Sequence, residues 1–417
     1  MVSNGKEIRY IVKDVRSVPF GGKALPFFIT AEACKQAIMF HQSFQEYQPT
    51  PLVKLERLAE VLGVGSIYVK DESHRFGLNA FKVLGAAYAM GRYLCQQLGK
   101  QPEEITFDYL RSDEVKRQIG SVTFVTATDG NHGRAVAWAA RQFGQKAVVY
   151  LPKGTACQRV EAIRETGSEA IVTDVNYDDA VRLSRQAAEE NGWQVVQDTA
   201  WEGYTEIPTW IMQGYTTMVA EAIDQLRSEA TDRPTHVLLQ AGVGSMAGAV
   251  LGCLVDRYGS DCPRTVIVEP HAADCVYRSV AIGDGKPHAV EGDLHTIMAG
   301  LACGEPNPIG WEILRDYADA YVSCPDYVAA NGMRILASPP GNDKRVVSGE
   351  SGAVGIGLLA EIMQRGELQE LKEQLQLGAD SVVLCFSTEG DTDSAQYREI
   401  VWEGKHPAPA RTGGEGK

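Results

Sequence analysis

Hydrophobic and polar positions in this chain change period repeatedly, from strand-like runs to helix-like segments and back. Short apolar runs predict strands at 66–72, 123–126, 147–151, 170–173, 194–197, 236–240, 265–269, 321–323 and 381–386. Longer amphipathic segments between them predict helices, among them 133–143, 158–166, 177–191 and 215–227. This alternation predicts an α/β protein whose mostly parallel, twisted sheets are flanked by helices.

The ends of the chain are patterned less regularly. Residues before 48 are weakly patterned, apart from a predicted helix at 31–47. Thr50-Pro51-Leu52 predicts the start of a helix that continues to 62, because proline is favoured in the first helical turn. From Gly404 the chain is rich in Pro, Gly and charge, which predicts a disordered tail over 404–417.

Length and charge narrow the functional classes. The 417 residues are enough for two domains with a sizeable core. A net charge of −14 argues against nucleic acid and anionic membranes as partners. Without an apolar run of transmembrane length or a signal-peptide pattern, we expect a cytoplasmic protein.

Cysteine usage indicates reduced thiols. The nine cysteines include no CxxC pair, so we expect neither a disulfide framework nor a metal site. Any oxidised pair would be sought among the four that lie close in sequence, which are Cys253, Cys262, Cys275 and Cys303.

Lys82 is a candidate nucleophile. It follows Asn79-Ala80-Phe81 at the first turn of a predicted apolar helix over 83–90. The helix macrodipole and burial both lower the pKa of a lysine there and favour the neutral amine that attacks carbonyls. Alternatively, the side chain extends along the helix edge into water.

Two strand-to-helix junctions are suited to bind anions through backbone N–H groups. The first, 126–133, contains Asp129, which either repels a bound anion or caps the helix. The second, 240–248, places Gly242 and Gly244 where the backbone can approach a phosphate closely. Gly242-x-Gly244-x-x-Ala247 with Glu269 also fits a dinucleotide fingerprint, so an NAD-dependent dehydrogenase is an open alternative.

Polar residues also follow two other predicted strands. Ser387 and Thr388 could bind a ring nitrogen or could cap a turn. Asp198, at a strand end beside aromatic residues, is either a turn residue or a general base or cation ligand.

Five of these motifs, in this order, resemble fold-type II pyridoxal-phosphate enzymes, a family that includes threonine and serine dehydratases. The resemblance covers roughly 48–395 and rests on Thr50-Pro51-Leu52, Tyr68–Glu72, Asn79–Lys82, Gly130–Gly133 and Gly242–Gly248. It implies a homodimer with a large domain from 1–88 and 200–417 and a smaller inserted α/β domain at 89–199. It also implies that Lys82 forms a Schiff base with pyridoxal 5'-phosphate.

The resemblance implies cofactor contacts for several other residues. The amides of Gly242, Val243, Gly244 and Ser245 would bind the phosphate, Asn131 the ring oxygen, and Ser387 or Thr388 the pyridine nitrogen.

The chain departs from the dehydratase pattern at Ala80, where dehydratases commonly have Ser or Gly, and at Asp129, where they usually have Ser or Thr. Together with 197–204 and 349–354, Asp129 resembles the branch of the family that acts on 2,3-diaminopropionate. That branch implies a carbon–nitrogen lyase that removes the β-ammonia from D- and L-substrate to give aminoacrylate, then pyruvate and a second ammonia. A threonine or serine dehydratase of the same fold is the alternative.

Within that branch, three side chains receive substrate roles. Lys82 and Asp129 would be the bases on opposite faces of the α-carbon, and Asp198 would orient the β-amino group or assist the base. Thr128 would hold the substrate carboxylate.

Overall fold

The computed structural model describes residues 7–13, 25–128, 130–229, 231 and 233–409. Its strands form two sheets. Seven strands form the larger sheet, in the order β1 (Arg9–Val12), β10 (Ala320–Cys324), β9 (Arg264–Pro270), β8 (His236–Gln240), β11 (Val382–Ser387), β3 (Ser66–Asp71) and β2 (Leu52–Lys54). Four form the smaller, in the order β6 (Glu169–Val172), β5 (Lys146–Leu151), β4 (Thr123–Ala127) and β7 (Gln194–Val195). The predicted α/β fold is confirmed, since among the described strands only the edge strands β1 and β2 run antiparallel to their neighbours.

Helices lie between most of these strands and pack on the sheets. They are α1 (Ala31–Gln42), α2 (Glu56–Leu62), α3 (Val83–Gln97), α4 (Phe107–Leu110), α5 (Asp113–Ile119), α6 (Asn131–Gln142), α7 (Cys157–Arg164), α8 (Tyr177–Asn191), α9 (Glu206–Ser228), α10 (Ser245–Tyr258), α11 (Cys275–Ile282), α12 (Pro308–Tyr317), α13 (Asp326–Ala337), α14 (Glu350–Gln364), α15 (Gln369–Leu375) and α16 (Ser394–Val401). Within the described ranges, none of them is both long and apolar enough to cross a bilayer.

The predicted helix at 50–62 is wrong over its first residues. Leu52–Lys54 is the strand β2, and the helix begins only at Glu56. Pairing with β3 keeps this segment extended, because Leu52 lies opposite Lys70 and the amide of Asp71 donates to the Pro51 carbonyl at 2.9 Å. The preference of proline for the first helical turn is a local property and carries no information about this tertiary contact. The helix predicted at 31–47 also ends earlier, at Gln42.

The inserted domain at 89–199 stays a prediction, and the two sheets draw their strands from different parts of the chain. Every strand of the smaller sheet lies between 123 and 195, whereas the larger sheet takes its strands from 1–88 and 200–417. The proposed boundary after residue 88 falls inside α3, so this helix is shared by both parts.

The predicted disorder at 404–417 does not hold for 404–409. The Arg334 guanidinium donates to the carbonyls of Lys405 and His406 at 3.1 and 2.9 Å, which anchors this segment to α13. Residues 410–417 lie outside the described residues.

Helix α3, which begins directly after Lys82, packs closely against α9 through two glycines. A Cβ atom on Gly85 would lie 2.5 Å from Cε1 of Tyr215, and one on Gly214 would lie 2.4 Å from the Leu84 carbonyl oxygen. Both positions therefore require glycine. The contact fixes the start of α3 relative to Tyr215, whose ring centroid lies 4.8 Å from that of Phe81.

A buried network of charged side chains holds the segment between β3 and Lys82. Glu221 accepts from Lys70 Nζ and from Arg75 Nη1, both at 2.7 Å. Arg75 also donates to Glu72 at 2.8 Å, and Thr50 Oγ1 donates to the same carboxylate at 2.7 Å. All five residues are buried, so the loss of one partner would leave an uncompensated charge. The network thus restricts the loop that leads to Lys82.

Candidate active site

A cavity lies where the carboxyl ends of strands from both sheets meet, the edge at which parallel sheets bind ligands. Its walls come from the loop before α3, the start of α6, and the segments after β7, β8 and β11. The predicted site residues that line it are Lys82, Asn131, Asp198, Gly242, Val243, Gly244, Ser245 and Thr388. Residues to which the sequence assigned no role also line it, including Phe81, Tyr215, Gln240, Ser351 and Glu389.

Lys82 does not extend along the helix edge into water. It is the N-cap residue of α3, and its ammonium forms an ion pair with the buried carboxylate of Asp198. The backbone around it is bonded to the segment after β11: the amide of Phe81 donates to the Thr388 carbonyl, and that of Gly390 donates to the Asn79 carbonyl, both at 3.0 Å. Lys82 is therefore held between the carboxylate of Asp198 and the segment that follows β11, in the larger sheet.

Asp198 is held ionised by its surroundings. Burial alone would raise its pKa, but the Lys82 ammonium outweighs burial and lowers the pKa of Asp198 to about 2. The low pKa of Asp198 therefore depends on the Lys82 ammonium. Without the ammonium, burial would dominate and the pKa of this carboxyl would rise.

His132 completes the surroundings of that ammonium. Its Nε2 lies 2.8 Å from the Val196 carbonyl, an acceptor, so Nε2 carries a hydrogen. Burial lowers the pKa of His132 and favours the neutral ring, in which Nδ1 is an acceptor. Nδ1 lies 4.0 Å from Asp198 Oδ2 and has no hydrogen-bond partner among the described groups. The two acceptors face the same small space, which suits an ammonium donor.

Asn131, the first residue of α6, is oriented by a carboxylate. Its Nδ2 donates to Glu389 Oε2 at 2.5 Å, and Glu389 Oε1 accepts from the amide of Ser351 at 3.1 Å. Glu389 is 2% exposed. The N-terminus of α14 therefore stabilises the carboxylate that orients the predicted cofactor-binding asparagine.

The glycine loop after β8, formed by residues 242–245, has the backbone conformation of a phosphate-binding loop, and we call it the phosphate cup. Gly244 caps α10 with a φ of +89°, a conformation that favours glycine, and Ser245 is the first residue of the helix. Successive backbone amides at a helix N-terminus bind anions. The Ser245 hydroxyl donates to the Asp198 carbonyl at 2.7 Å and so ties the cup to the ion pair.

Glu269 is not available to a ribose. Its carboxylate accepts from the amides of Val276 and Tyr277 at 2.9 and 2.6 Å and thereby caps α11. The residue is 1% exposed. The dinucleotide reading of the glycine loop therefore lacks its acidic partner and does not hold.

Of the two hydroxyls predicted to bind a ring nitrogen, only Thr388 lines the cavity. The Ser387 hydroxyl is fully buried and donates to Ser348 Oγ at 2.8 Å. Thr388 Oγ1 accepts from Gln240 Nε2 at 2.9 Å. The geometry thus favours Thr388 for this role.

The predicted carboxylate site after β4 is described only in part. Thr128 is buried, and its hydroxyl accepts from the amide of Gly130 at 2.9 Å. Asp129 lies outside the described residues. The substrate roles predicted for these two residues stay predictions.

The cavity fits pyridoxal phosphate. The phosphate cup lies on one side and the Lys82 amine on another. Tyr215 Oη and Gln240 Oε1 are buried at its wall and hydrogen-bond to no described group. Such unpaired polar atoms are rare in an interior unless a ligand or water meets them.

The comparisons with known proteins agree with this geometry. The family model of the pyridoxal-phosphate dependent enzymes matches residues 44–388. The chain is 58% identical over 388 residues to the diaminopropionate ammonia-lyase of Escherichia coli K12, which covers 93% of this chain and 95% of that protein. It is 51% identical over 393 residues to the enzyme of the same name from Salmonella typhimurium LT2, which covers 94% and 97% of the two chains.

A solved structure extends the similarity to three dimensions. The crystal structure of the Escherichia coli diaminopropionate ammonia lyase with an aminoacrylate-PLP azomethine reaction intermediate superimposes with a TM-score of 0.88. The two chains are 53% identical, and the match covers 97% of this chain and 99% of that one.

Proposed function

The chain belongs to the pyridoxal-phosphate-dependent enzyme family, and from this premise we propose that it eliminates ammonia from 2,3-diaminopropionate, in both D and L forms. The reaction consumes one water and yields pyruvate and two molecules of ammonia. The cofactor is pyridoxal 5'-phosphate, which when bound supplies a conjugated ring that accepts the electron pair left by removal of the α-proton.

The observation that carries this proposal is the ion pair between an ammonium and the buried carboxylate of Asp198, whose Oδ2 also lies 4.0 Å from His132 Nδ1. A lysine ammonium occupies this space in the structure, and the substrate carries an ammonium on its β-carbon. Serine and threonine carry a neutral hydroxyl there, which would leave the buried carboxylate without a cation. The site therefore favours a diamino acid over the dehydratase substrates.

The residues of the chain then take the following roles. Lys82 would hold the cofactor covalently, and its amine is the base for a proton on its own face of the α-carbon. We propose that Asp129 is the base on the opposite face, so that both enantiomers react. Asp198 orients the β-ammonium, and Thr128 with its loop amides binds the carboxylate. The amides of the glycine loop bind the phosphate.

A substrate panel tests the proposal. Pyruvate release should be fastest with diaminopropionate and slow with serine and threonine. Asp198→Asn should lower kcat/KM for diaminopropionate about a hundredfold, the value of a buried charge-assisted contact, and should affect serine less.

Asp224→Asn is the matched control for this change of charge, because Asp224 is an exposed residue on α9. It should leave kcat/KM unchanged for both diaminopropionate and serine. An unchanged preference between the two substrates in Asp198→Asn would contradict the assignment of Asp198.

We also propose that the enzyme is a cytoplasmic homodimer. All nine cysteines lie in the described ranges and no two of them form a disulfide, as is usual for a reducing compartment, and the family resemblance implies the dimer. Sedimentation equilibrium at micromolar concentration would test the dimer, and a monomer would contradict it.

A further inference from the structure

The donors and acceptors of one hydrogen-bond chain at the cavity wall can be assigned one by one. Gln240 is 2% exposed, and its Nε2 lies 2.8 Å from the Phe386 carbonyl oxygen and 2.9 Å from Thr388 Oγ1. A backbone carbonyl oxygen can only accept a hydrogen bond. The amide must therefore present its nitrogen, and not Oε1, to Phe386.

This orientation determines the direction of the next hydrogen bond. The amide nitrogen only donates, so its second contact makes Thr388 Oγ1 an acceptor. The single hydroxyl hydrogen of Thr388 must then point elsewhere, and Thr388 lines the cavity. In the described part of the chain, this hydroxyl donates to no protein group.

The neighbouring Ser387 cannot take over this role in the same geometry. It is fully buried, and its hydroxyl donates to Ser348. The hydroxyl hydrogen of Thr388 is therefore the one that the end of β11 directs into the cavity.

We propose that Gln240 is a positioning residue that makes Thr388 donate its hydroxyl hydrogen to the ring nitrogen of the cofactor. The inference rests on the proposed function, because it needs pyridoxal phosphate in this cavity. A donor on this side requires the ring nitrogen to be an acceptor, and hence unprotonated. An unprotonated ring withdraws electrons less strongly, which suits β-elimination over transamination.

Gln240→Glu reverses the hydrogen-bond chain at nearly constant volume. A carboxylic acid has one hydrogen, which the Phe386 carbonyl would take, and a carboxylate has none. In either state a carboxyl oxygen is left to accept from Thr388. Oγ1 of Thr388 would then present a lone pair to the cavity and favour a protonated ring nitrogen.

The experiment is ¹⁵N NMR of the wild-type protein and its variants reconstituted with ring-¹⁵N pyridoxal phosphate. We expect the shift of an unprotonated nitrogen in the wild type and a change towards the protonated value in Gln240→Glu. A protonated nitrogen in the wild type, or the same shift in both proteins, would overturn the proposal.

Gln240→Met is the second variant, since it keeps the length of the side chain without its hydrogen bonds. It should raise the Kd of the cofactor about tenfold, the loss of one hydrogen bond, because the Thr388 hydroxyl becomes free to rotate. A Kd and a ¹⁵N shift that both match the wild type would count against the role of Gln240. The readouts do not depend on turnover, so they stay separate from the substrate panel; a wild type that binds no pyridoxal phosphate would refute both proposals.

Discussion

The buried ion pair between Lys82 and Asp198 predicts strong energetic coupling between the two residues. In the protein without cofactor, the pair lowers the pKa of Asp198 from 3.8 to about 2 despite burial. At about 1.4 kcal/mol for each pKa unit, this displacement corresponds to roughly 2.5 kcal/mol. Burial acts in the opposite direction, so the coupling of the pair should be at least this large.

A double-mutant cycle measures this coupling. Lys82→Met and Asp198→Asn should each destabilise the cofactor-free protein, because each leaves its partner uncompensated. The double variant should be more stable than the sum of the two losses implies, by about 2.5 kcal/mol or more. Urea unfolding of all four proteins at neutral pH gives the free energies.

An exposed pair on α8 provides the control. Arg182 lies 2.5 Å from Asp179, with side chains 65% and 48% exposed, so its cycle should yield at most about 0.5 kcal/mol. The pH dependence gives a second check. The pKa of Asp198 is lower in the folded than in the unfolded protein. Its contribution to the free energy of unfolding is therefore fully present above about pH 4 and is lost as the pH falls towards 2. Additive losses within about 0.5 kcal/mol would refute the ion pair as the source of the low pKa.

Three other substitutions test the roles assigned to individual residues. Asp129→Asn should reduce pyruvate release from D-diaminopropionate more than from the L isomer, and equal losses would contradict a base on each face. Gly244→Ala should raise the Kd of pyridoxal phosphate about tenfold or more in absorbance titrations. The reason is that Gly244 has a φ of +89° and that a Cβ there would lie 3.0 Å from Leu314 Cδ1. An unchanged Kd would mean that the glycine loop accommodates the added methyl group. Glu269→Ala should leave turnover intact and lower the stability by about 1–2 kcal/mol, because Glu269 caps α11; a loss of activity without loss of stability would point to a direct role in the reaction.

Local patterns in the sequence predicted most elements but missed those that depend on distant partners. The strand runs at 123–126 and 236–240 correspond closely to β4 and β8, because a short run of mostly apolar and β-branched residues is a property of the segment itself, and both strands are buried along almost their whole length. β2 was predicted as a helix, since only its antiparallel partner β3 holds it extended. β1 was not predicted for the same reason: it pairs at the sheet edge with β10, more than 300 residues away in sequence.

Side chains of the site that depend on distant partners are likewise hard to predict from the sequence. Ordered motifs select Lys82 as a candidate, and the structure pairs it with Asp198, while the roles of both residues stay predictions. Gln240 belongs to the junction at 240–248 and Glu389 follows Thr388 directly, but neither receives a role from the sequence. Their function depends on contacts with Thr388 and Asn131, which lie 148 and 258 residues away along the chain. A single sequence contains no signal for such contacts. A glutamate that follows the last strand of an α/β sheet could, however, have been noted as an unusual buried carboxylate.

The position of β11 has a consequence for biosynthesis. This strand lies between β8 and β3, although it is the last strand of the described chain to leave the ribosome. Until the chain has been made at least to Gly390, β3 lacks its parallel neighbour, and the loop of Lys82 lacks the carbonyl and amide that hold it. Because chains emerge from the N-terminus onwards, the lysine is synthesised early and its pocket is completed late. Nascent chains therefore carry Lys82 before the segment that holds its loop has been made, and under the proposed function the cofactor is bound only at the end of folding.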